Sequence, residues 1–164
     1  MVGLRELQEK DIEGMLEWMH DPGINCFFRF NAQDMDYDKA YQFISQKNNT
    51  TKHFAIVNSD DEYLGTISLK EIDLKNKKAE YAISIRRKYH GTGVATAATD
   101  LILKYAYEEL QLHRVYLNVL SDNTRAIRFY EKYGFRYEGE FEDDLYLNGE
   151  WKTLKWYAIV KKLC

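Results

Sequence analysis

Apolar residues in the first third of the chain recur at the spacing of helix faces. They occupy positions i, i+3, i+4 and i+7 over Asp11–Met19 and again over Tyr37–Ile44, so the sequence predicts two amphipathic helices. The segment His20–Gly23 separates these helices, because it contains the only proline of the chain. The polar segment Asn48–Thr51 ends the second helix.

The middle of the chain has the character of a β-meander. Three strands are predicted there, at Phe54–Val57, Tyr63–Ile72 and Glu80–Ile85. The polar segments Ser59–Asp61 and Asp73–Lys77 separate them. Because connections this short join strands that run in opposite directions, we expect the three strands to pair antiparallel.

A helix and a further strand follow the meander. Small and apolar residues predict a long helix from Gly93 to about Leu110, and Arg114–Leu120 has strand character. A strand, a helix and a strand in succession favour one parallel crossover connection. The sequence therefore predicts a sheet that mixes antiparallel and parallel pairs.

The last quarter of the chain predicts a helix and a hairpin. Asn123 or Thr124 can cap the helix, and Gly134 can end it in the left-handed conformation. Two strands then follow, joined at Asn148-Gly149, which is a strong signal for a tight hairpin turn.

Composition and length favour a single globular domain over residues 1–164. The chain has 164 residues, well below the roughly 250 at which chains usually divide. Apolar residues make up 45% and charged residues 30%, which suits a buried core and excludes disorder. No apolar stretch approaches the roughly 20 residues that cross a bilayer, so no membrane partner is expected.

Net charge and cysteine content restrict the expected partners and the expected cellular location. A net charge of −3 supplies no overall basic field, so nucleic acid is not an expected partner. Cys26 and Cys164 are the only cysteines, and Met1–Glu6 lacks an apolar signal region. We therefore expect a cytoplasmic protein without a disulfide framework, acting as a monomer or a homodimer.

The most informative segment is the glycine-rich turn between the third strand and the long helix. Where a strand gives way to a helix, the first helical amides have no internal partner and favour an anion such as a pyrophosphate. Gly91 and Gly93 could equally serve only a tight turn. A phosphate-binding P-loop is excluded, because Val94-Ala95 stands where Lys-Ser/Thr is needed. A dinucleotide fingerprint is disfavoured, since Thr96 replaces its third glycine.

Two motifs resemble the GNAT N-acetyltransferase superfamily. The acyl-CoA loop pattern Gln/Arg-x-x-Gly-x-Gly/Ala falls on His90-Gly91-Thr92-Gly93-Val94-Ala95, with His90 in place of Gln or Arg. The signature Asn-x-x-Ala-x-x-x-Tyr-x-Lys-x-Gly-Phe falls on Asn123–Phe135 at the usual distance downstream. The resemblance covers nearly the whole chain, and it extends to the branch that acetylates spermidine and ribosomal proteins.

The resemblance implies a fold and a cofactor. The expected fold is α+β, with a mixed, mostly antiparallel seven-stranded sheet flanked by about four helices. Its central parallel strands would splay apart to admit the pantetheine arm of acetyl-CoA. No metal is expected. The implied cofactor-binding residues are Ile83, Ser84, Ile85, His90, Gly91, Thr92, Gly93, Val94, Ala95 and Asn123.

The resemblance also implies how the reaction proceeds. In the superfamily an amine attacks the thioester of acetyl-CoA directly, so no nucleophilic Cys or Ser is expected. Tyr130 falls at the position of the general acid that protonates the leaving thiolate, although it could be a packed residue of the helix face. Glu80 is the candidate base for the incoming ammonium, directly or through water, although it could instead pair with Lys78. Asn123 could act as an N-cap as well as a cofactor contact.

The acceptor is less defined by sequence. The acidic and aromatic segment Glu138–Trp151 suits a cationic amine, which makes Glu142 and Asp143 candidate substrate-binding residues, although a solvated hairpin edge fits equally well. Trp18 and Phe28 are the candidate walls of the acceptor pocket. The expected activity is acetyl transfer to a small amine, a polyamine or an amino sugar. Acetylation of a protein N-terminus, as on a ribosomal protein, and a noncatalytic acyl-CoA binding module are the alternatives.

Overall fold

A computed structural model describes residues 1–162, which form one seven-stranded sheet and five α-helices. The sheet order is β1-β2-β3-β4-β5-β7-β6. The strands are β1 (Gly3–Glu6), β2 (Lys52–Val57), β3 (Tyr63–Asp73), β4 (Lys78–Ile85), β5 (Arg114–Leu120), β6 (Arg136–Leu147) and β7 (Glu150–Val160). The helices are α1 (Ile12–Met19), α2 (Pro22–Asn25), α3 (Tyr37–Ser45), α4 (Val94–Lys104) and α5 (Thr124–Tyr133).

Each face of the sheet carries its own apolar core. On one face α1 buries Met15 and Trp18 against Ala55 and Tyr63 of β2 and β3. On the other face α4 buries residues such as Ile102 in the larger cluster that the central strands share. This two-sided arrangement follows from the alternation of side chains along the strands and the one-sided apolar stripes of the helices.

The predicted elements are confirmed, with two local differences. The segment that separates the first two predicted helices itself contains the one-turn helix α2. Pro22 suits the first position of that helix, and the Asp21 carboxylate accepts a hydrogen bond from the Gly23 amide at 2.9 Å. The predicted long helix ends its α-helical part at Lys104 and continues as a π-helical turn over Tyr105–Glu109.

The two central parallel strands part along their length, as expected. β4 and β5 pair only where Lys78–Glu80 lies beside Arg114–Tyr116. Beyond Glu80, β4 keeps its pairing with β3, while all of β5 pairs with β7. Because each strand is held on its outer edge, the inner edges of Tyr81–Ile85 and Leu117–Leu120 can stay apart. The α+β fold with splayed central strands is therefore confirmed.

Two further observations bear on the sequence-based expectations. Among residues 1–162, no helix is long and apolar enough to cross a membrane. Cys26 is an exposed free thiol, and Cys164 lies outside the described residues.

Candidate functional site

A cavity of about 1200 Å³ opens where β4 and β5 separate. Side chains from both faces of the sheet line it. Tyr81 points toward α4, where its hydroxyl hydrogen bonds Thr99 at 2.8 Å, so its neighbour Glu80 points to the opposite face. The cavity therefore passes through the sheet and joins the α4–α5 face to the α1–α3 face.

Most of the predicted site residues line this cavity. They are Trp18, Phe28, Glu80, Ile83, Ser84, Ile85, His90, Gly91, Gly93, Ala95, Asn123 and Tyr130. Four others do not. The Thr92 hydroxyl turns back to the Tyr89 carbonyl, and the Val94 side chain is buried in the core. Glu142 and Asp143 are exposed on β6, so their part in substrate binding stays a prediction.

The glycine-rich turn presents backbone amides to the cavity. Gly91 and Gly93 have φ values of +74° and +88°, which glycine adopts without steric cost. Gly93 precedes α4 without a side-chain cap. The first amides of α4, at Val94 and Ala95, therefore point outward at the positive end of the helix dipole. This geometry suits a phosphate group.

His90 bridges the end of β4 and the start of α5. Its Nε2 lies 2.8 Å from the carbonyl oxygen of Ile85, and its Nδ1 lies 2.6 Å from Nη1 of Arg125. Because a guanidinium can only donate, Nδ1 accepts and Nε2–H donates, which requires a neutral ring. Burial lowers the pKa of His90, and the charge of Arg125 acts in the same direction.

Tyr130 lies on the α4–α5 face of the cavity. Its ring packs edge-on against Tyr81 at 6.0 Å and Phe135 at 5.7 Å. Burial raises the pKa of Tyr130 to about 12. The phenol therefore keeps its proton at neutral pH and can act as a donor. Asn123 begins the same helix, and its side chain accepts a hydrogen bond from the Ala126 amide at 3.3 Å.

Glu80 lies on the α1–α3 face and is only 8% exposed. Asn118 Nδ2 donates to its Oε1 at 2.8 Å. Nη2 of Arg29 lies 3.4 Å from Oε1, and Nζ of Lys70 lies 3.3 Å from Oε2. The carboxylate thus contacts two cations and one amide, rather than Lys78 as one sequence interpretation allowed.

Sequence reasoning missed these three partners of Glu80. Lys70 lies directly opposite Glu80 in the β3–β4 register, and Asn118 is a polar interruption of the apolar strand β5. That interruption is the one feature of the sequence from which a partner of Glu80 could have been inferred. The Oδ1 atom of Asn118 is buried and has no hydrogen-bond partner among the described residues. Since buried polar atoms are normally satisfied, this oxygen is suited to accept from a bound molecule.

Aromatic rings wall the same end of the cavity. Phe28 stacks on Phe30 with ring centroids 5.5 Å apart and planes 2° from parallel. Trp18 meets Phe28 edge-on at 5.4 Å, and its indole N–H donates to the Tyr63 hydroxyl at 2.8 Å. Phe30 remains half exposed. These contacts fix a flat apolar surface beside Glu80.

The fold and the cavity through the sheet are those of a ligand-binding α+β domain, and comparison with known proteins gives its family. The acetyltransferase (GNAT) domain matches residues 2–136. The chain belongs to this family.

Among its relatives, a spermidine N(1)-acetyltransferase of Vibrio cholerae is 30% identical over 160 residues, covering 96% of this chain and 92% of that protein. The Escherichia coli K12 spermidine N(1)-acetyltransferase is 37% identical over 98 residues, 60% of this chain. The chain thus spans 53% of the length of the E. coli relative.

Solved structures share the whole fold. The spermidine N-acetyltransferase of V. cholerae, determined with CoA and spermine, superposes with a TM-score of 0.88. The comparison covers 97% of this chain and 95% of the other at 24% sequence identity. This likeness establishes the fold.

Proposed function

We propose that this chain is an acetyl-CoA-dependent N-acetyltransferase that acts on a primary amine of a small molecule. The observation that carries the proposal is the cavity through the sheet. It brings a protonated phenol, Tyr130, and a carboxylate, Glu80, to its two sides. Transfer of an acetyl group to an ammonium needs one group that gives a proton and one that takes a proton. Family membership supports the same reaction.

The residues of the α4–α5 face fit acetyl-CoA. The amides that follow Gly93 and the guanidinium of Arg125 suit a pyrophosphate. Within the described part of the chain, the inner edge of β4 over Ile83–Ile85 pairs with no other strand, and apart from the Ile85 carbonyl, which accepts from His90, its backbone groups suit the amides of a pantetheine arm in the manner of an added strand. When bound, acetyl-CoA supplies an acetyl group activated as a thioester.

The proton steps fall to the two sides of the cavity. Tyr130 holds a proton at Oη that it can give to the departing thiolate sulfur. Glu80 takes the proton of the acceptor ammonium at a carboxylate oxygen, directly or through a water molecule. Asn118 fixes the orientation of that carboxylate through its bond from Nδ2.

Polyamines and amino sugars are the two acceptor classes that we consider. The names of the relatives support polyamines. We propose the cytoplasm as the setting and a monomer or homodimer as the acting form.

Acetyl-CoA consumption, measured with panels of amines, amino sugars and peptides, tests the reaction. Release of CoA that depends on an amine is expected. Its absence with every amine would leave only a noncatalytic acyl-CoA binding module.

A negative charge introduced at Gly93 tests whether CoA binds at the glycine-rich turn. Gly93→Asp should weaken CoA binding by about 10- to 100-fold, because its carboxylate would repel the pyrophosphate. Gly93→Asn is the matched control, since Asn has the same shape without the charge and tolerates a positive φ. Calorimetry on variants that are folded by circular dichroism measures both. Equal affinities for the Asp and Asn variants would contradict the assignment.

A further inference from the structure

The cavity is cationic although the whole chain is acidic. The chain carries a net charge of −3. The charged side chains that line the cavity are the basic Arg29, Lys70, Arg125 and Lys132 and the acidic Glu80 and Asp100. The cavity wall therefore has an excess of positive charge.

Acetyl-CoA accounts for only part of this excess. Arg125 and Lys132 belong to α5, on the face where the glycine-rich turn suits a pyrophosphate. Arg29 and Lys70 lie at the opposite end, beside Glu80 on the α1–α3 face. Among the described residues, Glu80 is the one carboxylate that lines this end of the cavity, so the side chains of the lining there carry an excess of one positive charge.

Arg29 retains free hydrogen-bonding capacity. Only its Nη2 reaches Glu80, at 3.4 and 3.5 Å, and these contacts are longer than a strong charge-assisted bond. Among residues 1–162, no acceptor is bonded to Nε or Nη1 of Arg29. Its side chain is 39% exposed and lines the cavity. A guanidinium with unused donors at a cavity wall suits a phosphate or a carboxylate.

The wall beside Arg29 favours a ring. Phe28 and Phe30 flank Arg29 in the chain and stack on each other, and Phe30 leaves half of its surface exposed. Flat aromatic surfaces combined with a few polar groups are typical of sites for small cyclic ligands. The apolar face of a sugar ring fits this surface. A flexible polycation gains cation–π attraction there, but it is repelled by two neighbouring cations.

We propose that the acceptor is an amino sugar that carries an anionic group, either a phosphate or a carboxylate, and that Arg29 binds this group. The inference rests on the proposed N-acetyltransferase function and selects between the two acceptor classes. In this arrangement the sugar ring packs against Phe28 and Phe30. Its amine faces Glu80 and the unpartnered Oδ1 of Asn118, while Lys70 adds positive charge.

Matched acceptors test this inference. Glucosamine, glucosamine 6-phosphate and muramic acid share an amino sugar ring and differ in charge, and spermidine serves as the polycation. The wild-type kcat/KM should be about 10- to 100-fold higher for an anionic amino sugar than for glucosamine, the range expected for a hydrogen-bonded charge pair. The two anionic sugars distinguish phosphate from carboxylate. Spermidine should be the poorest acceptor.

Variants at Arg29 make the test specific. Arg29→Glu should abolish the advantage of the anionic sugars and raise the relative kcat/KM for spermidine, while Arg29→Gln should fall between. Arg136→Glu is the control, because Arg136 is exposed on β6 and does not line the cavity. A wild-type preference for spermidine, or an Arg29→Glu effect equal for all four amines, would overturn the inference.

Measurements of sugar binding test the anion site independently of the proposed acetyl transfer. Glucosamine and glucosamine 6-phosphate are titrated into the CoA-saturated protein by calorimetry. Tighter binding of glucosamine 6-phosphate than of glucosamine, lost in Arg29→Glu, supports the anion site. If no amine is then acetylated, the proposed reaction is rejected but the anion site is not. Equal binding of the two sugars rejects the anion site even if acetylation of other amines is found.

Discussion

At the residue scale, the role of His90 depends on the groups that its side chain contacts. His90 stands at the first position of the glycine-rich motif, where Gln or Arg is usual. Its two ring nitrogens engage Ile85 and Arg125, so the ring acts as a neutral bridge between β4 and α5. The guanidinium of Arg125 is thereby held beside the turn. The residue type alone did not distinguish such a bridge from a solvated turn residue.

Tyr130 allows a direct test of proton donation. Tyr130→Phe should lower kcat by about 10- to 10⁴-fold, the range for lost general-acid assistance, because we propose its phenol as the proton donor on its side of the cavity. CoA affinity should be unchanged. Tyr137→Phe is the control, since Tyr137 is exposed on β6 and does not line the cavity. Steady-state kinetics on one acceptor measures both variants, and wild-type turnover in Tyr130→Phe would assign Tyr130 to packing alone.

At the element scale, β4 is the strand that organises the site. Its outer edge pairs with β3 through Ile85, and its inner edge leaves β5 after Glu80. Gly65 of β3 lies directly opposite Ile85, where the two backbones approach closely. A Cβ at position 65 would collide with the Ser84 carbonyl oxygen and lie 2.9 Å from Cα of Ile85. The close pairing of β3 and β4 therefore requires glycine.

Gly65→Ala should separate these strands beside the cavity. We expect a loss of about 1–3 kcal/mol in the free energy of unfolding, as for other overpacked sites, together with weaker CoA binding. Gly3→Ala is the matched control in β1, because its Cβ would lie 3.9 Å from Val57 Cγ2, an ordinary contact. Urea unfolding and calorimetry measure the two effects. A Gly65→Ala protein as stable as Gly3→Ala would contradict the close approach.

At the scale of the whole molecule, charge is distributed unevenly. Carboxylates crowd the exposed strand β6, including Glu142 and Asp143, whereas basic side chains dominate the cavity. The net charge of −3 is a sum over the whole chain, so it does not show that the charged side chains lining the cavity are mostly basic. Ligand preference follows the local charge of the cavity, because solvent and salt screen distant surface charges.

The folded molecule should lose stability in acid in two stages. Burial and the nearby Lys70 lower the pKa of His53 to about 4, from about 6.5 in the unfolded chain. Between these values the unfolded state binds more protons, so the free energy of unfolding falls as the pH is lowered, by roughly 2 kcal/mol for this partly exposed group. A second loss follows as the pH falls from 4.5 to about 2, because hydrogen bonds from Tyr89 and Lys88 lower the pKa of Glu62 from the first of these values to the second.

The variant His53→Phe isolates the first stage. Phenylalanine can keep the contact that His53 makes with Phe43 but cannot bind a proton. Chemical unfolding between pH 7 and pH 4.5 should then give a shallower pH dependence than in the wild type. Identical slopes for the two proteins would exclude His53 as the source.

The sequence by itself determined the local elements and the glycine-rich turn. Helix faces, strand lengths and the hairpin at Asn148-Gly149 depend on residues a few positions apart, so their periodicity and turn chemistry predict them. The two motifs that contain Gly93 and Tyr130 are equally local, and the structure places both at one cavity.

Only the tertiary structure decided which side chains surround Glu80 in that cavity. Arg29 and Asn118 reach Glu80 across 51 and 38 positions of the chain, and these contacts depend on the sheet order and on the course of the segment that follows α2. The acidic segment with Glu142 predicts a cationic acceptor from neighbouring residues alone, and that prediction could not include the sheet order, in which β7 separates the edge strand β6 from β5. Long-range strand pairing sets which charges converge, and no local pattern of residues encodes that convergence.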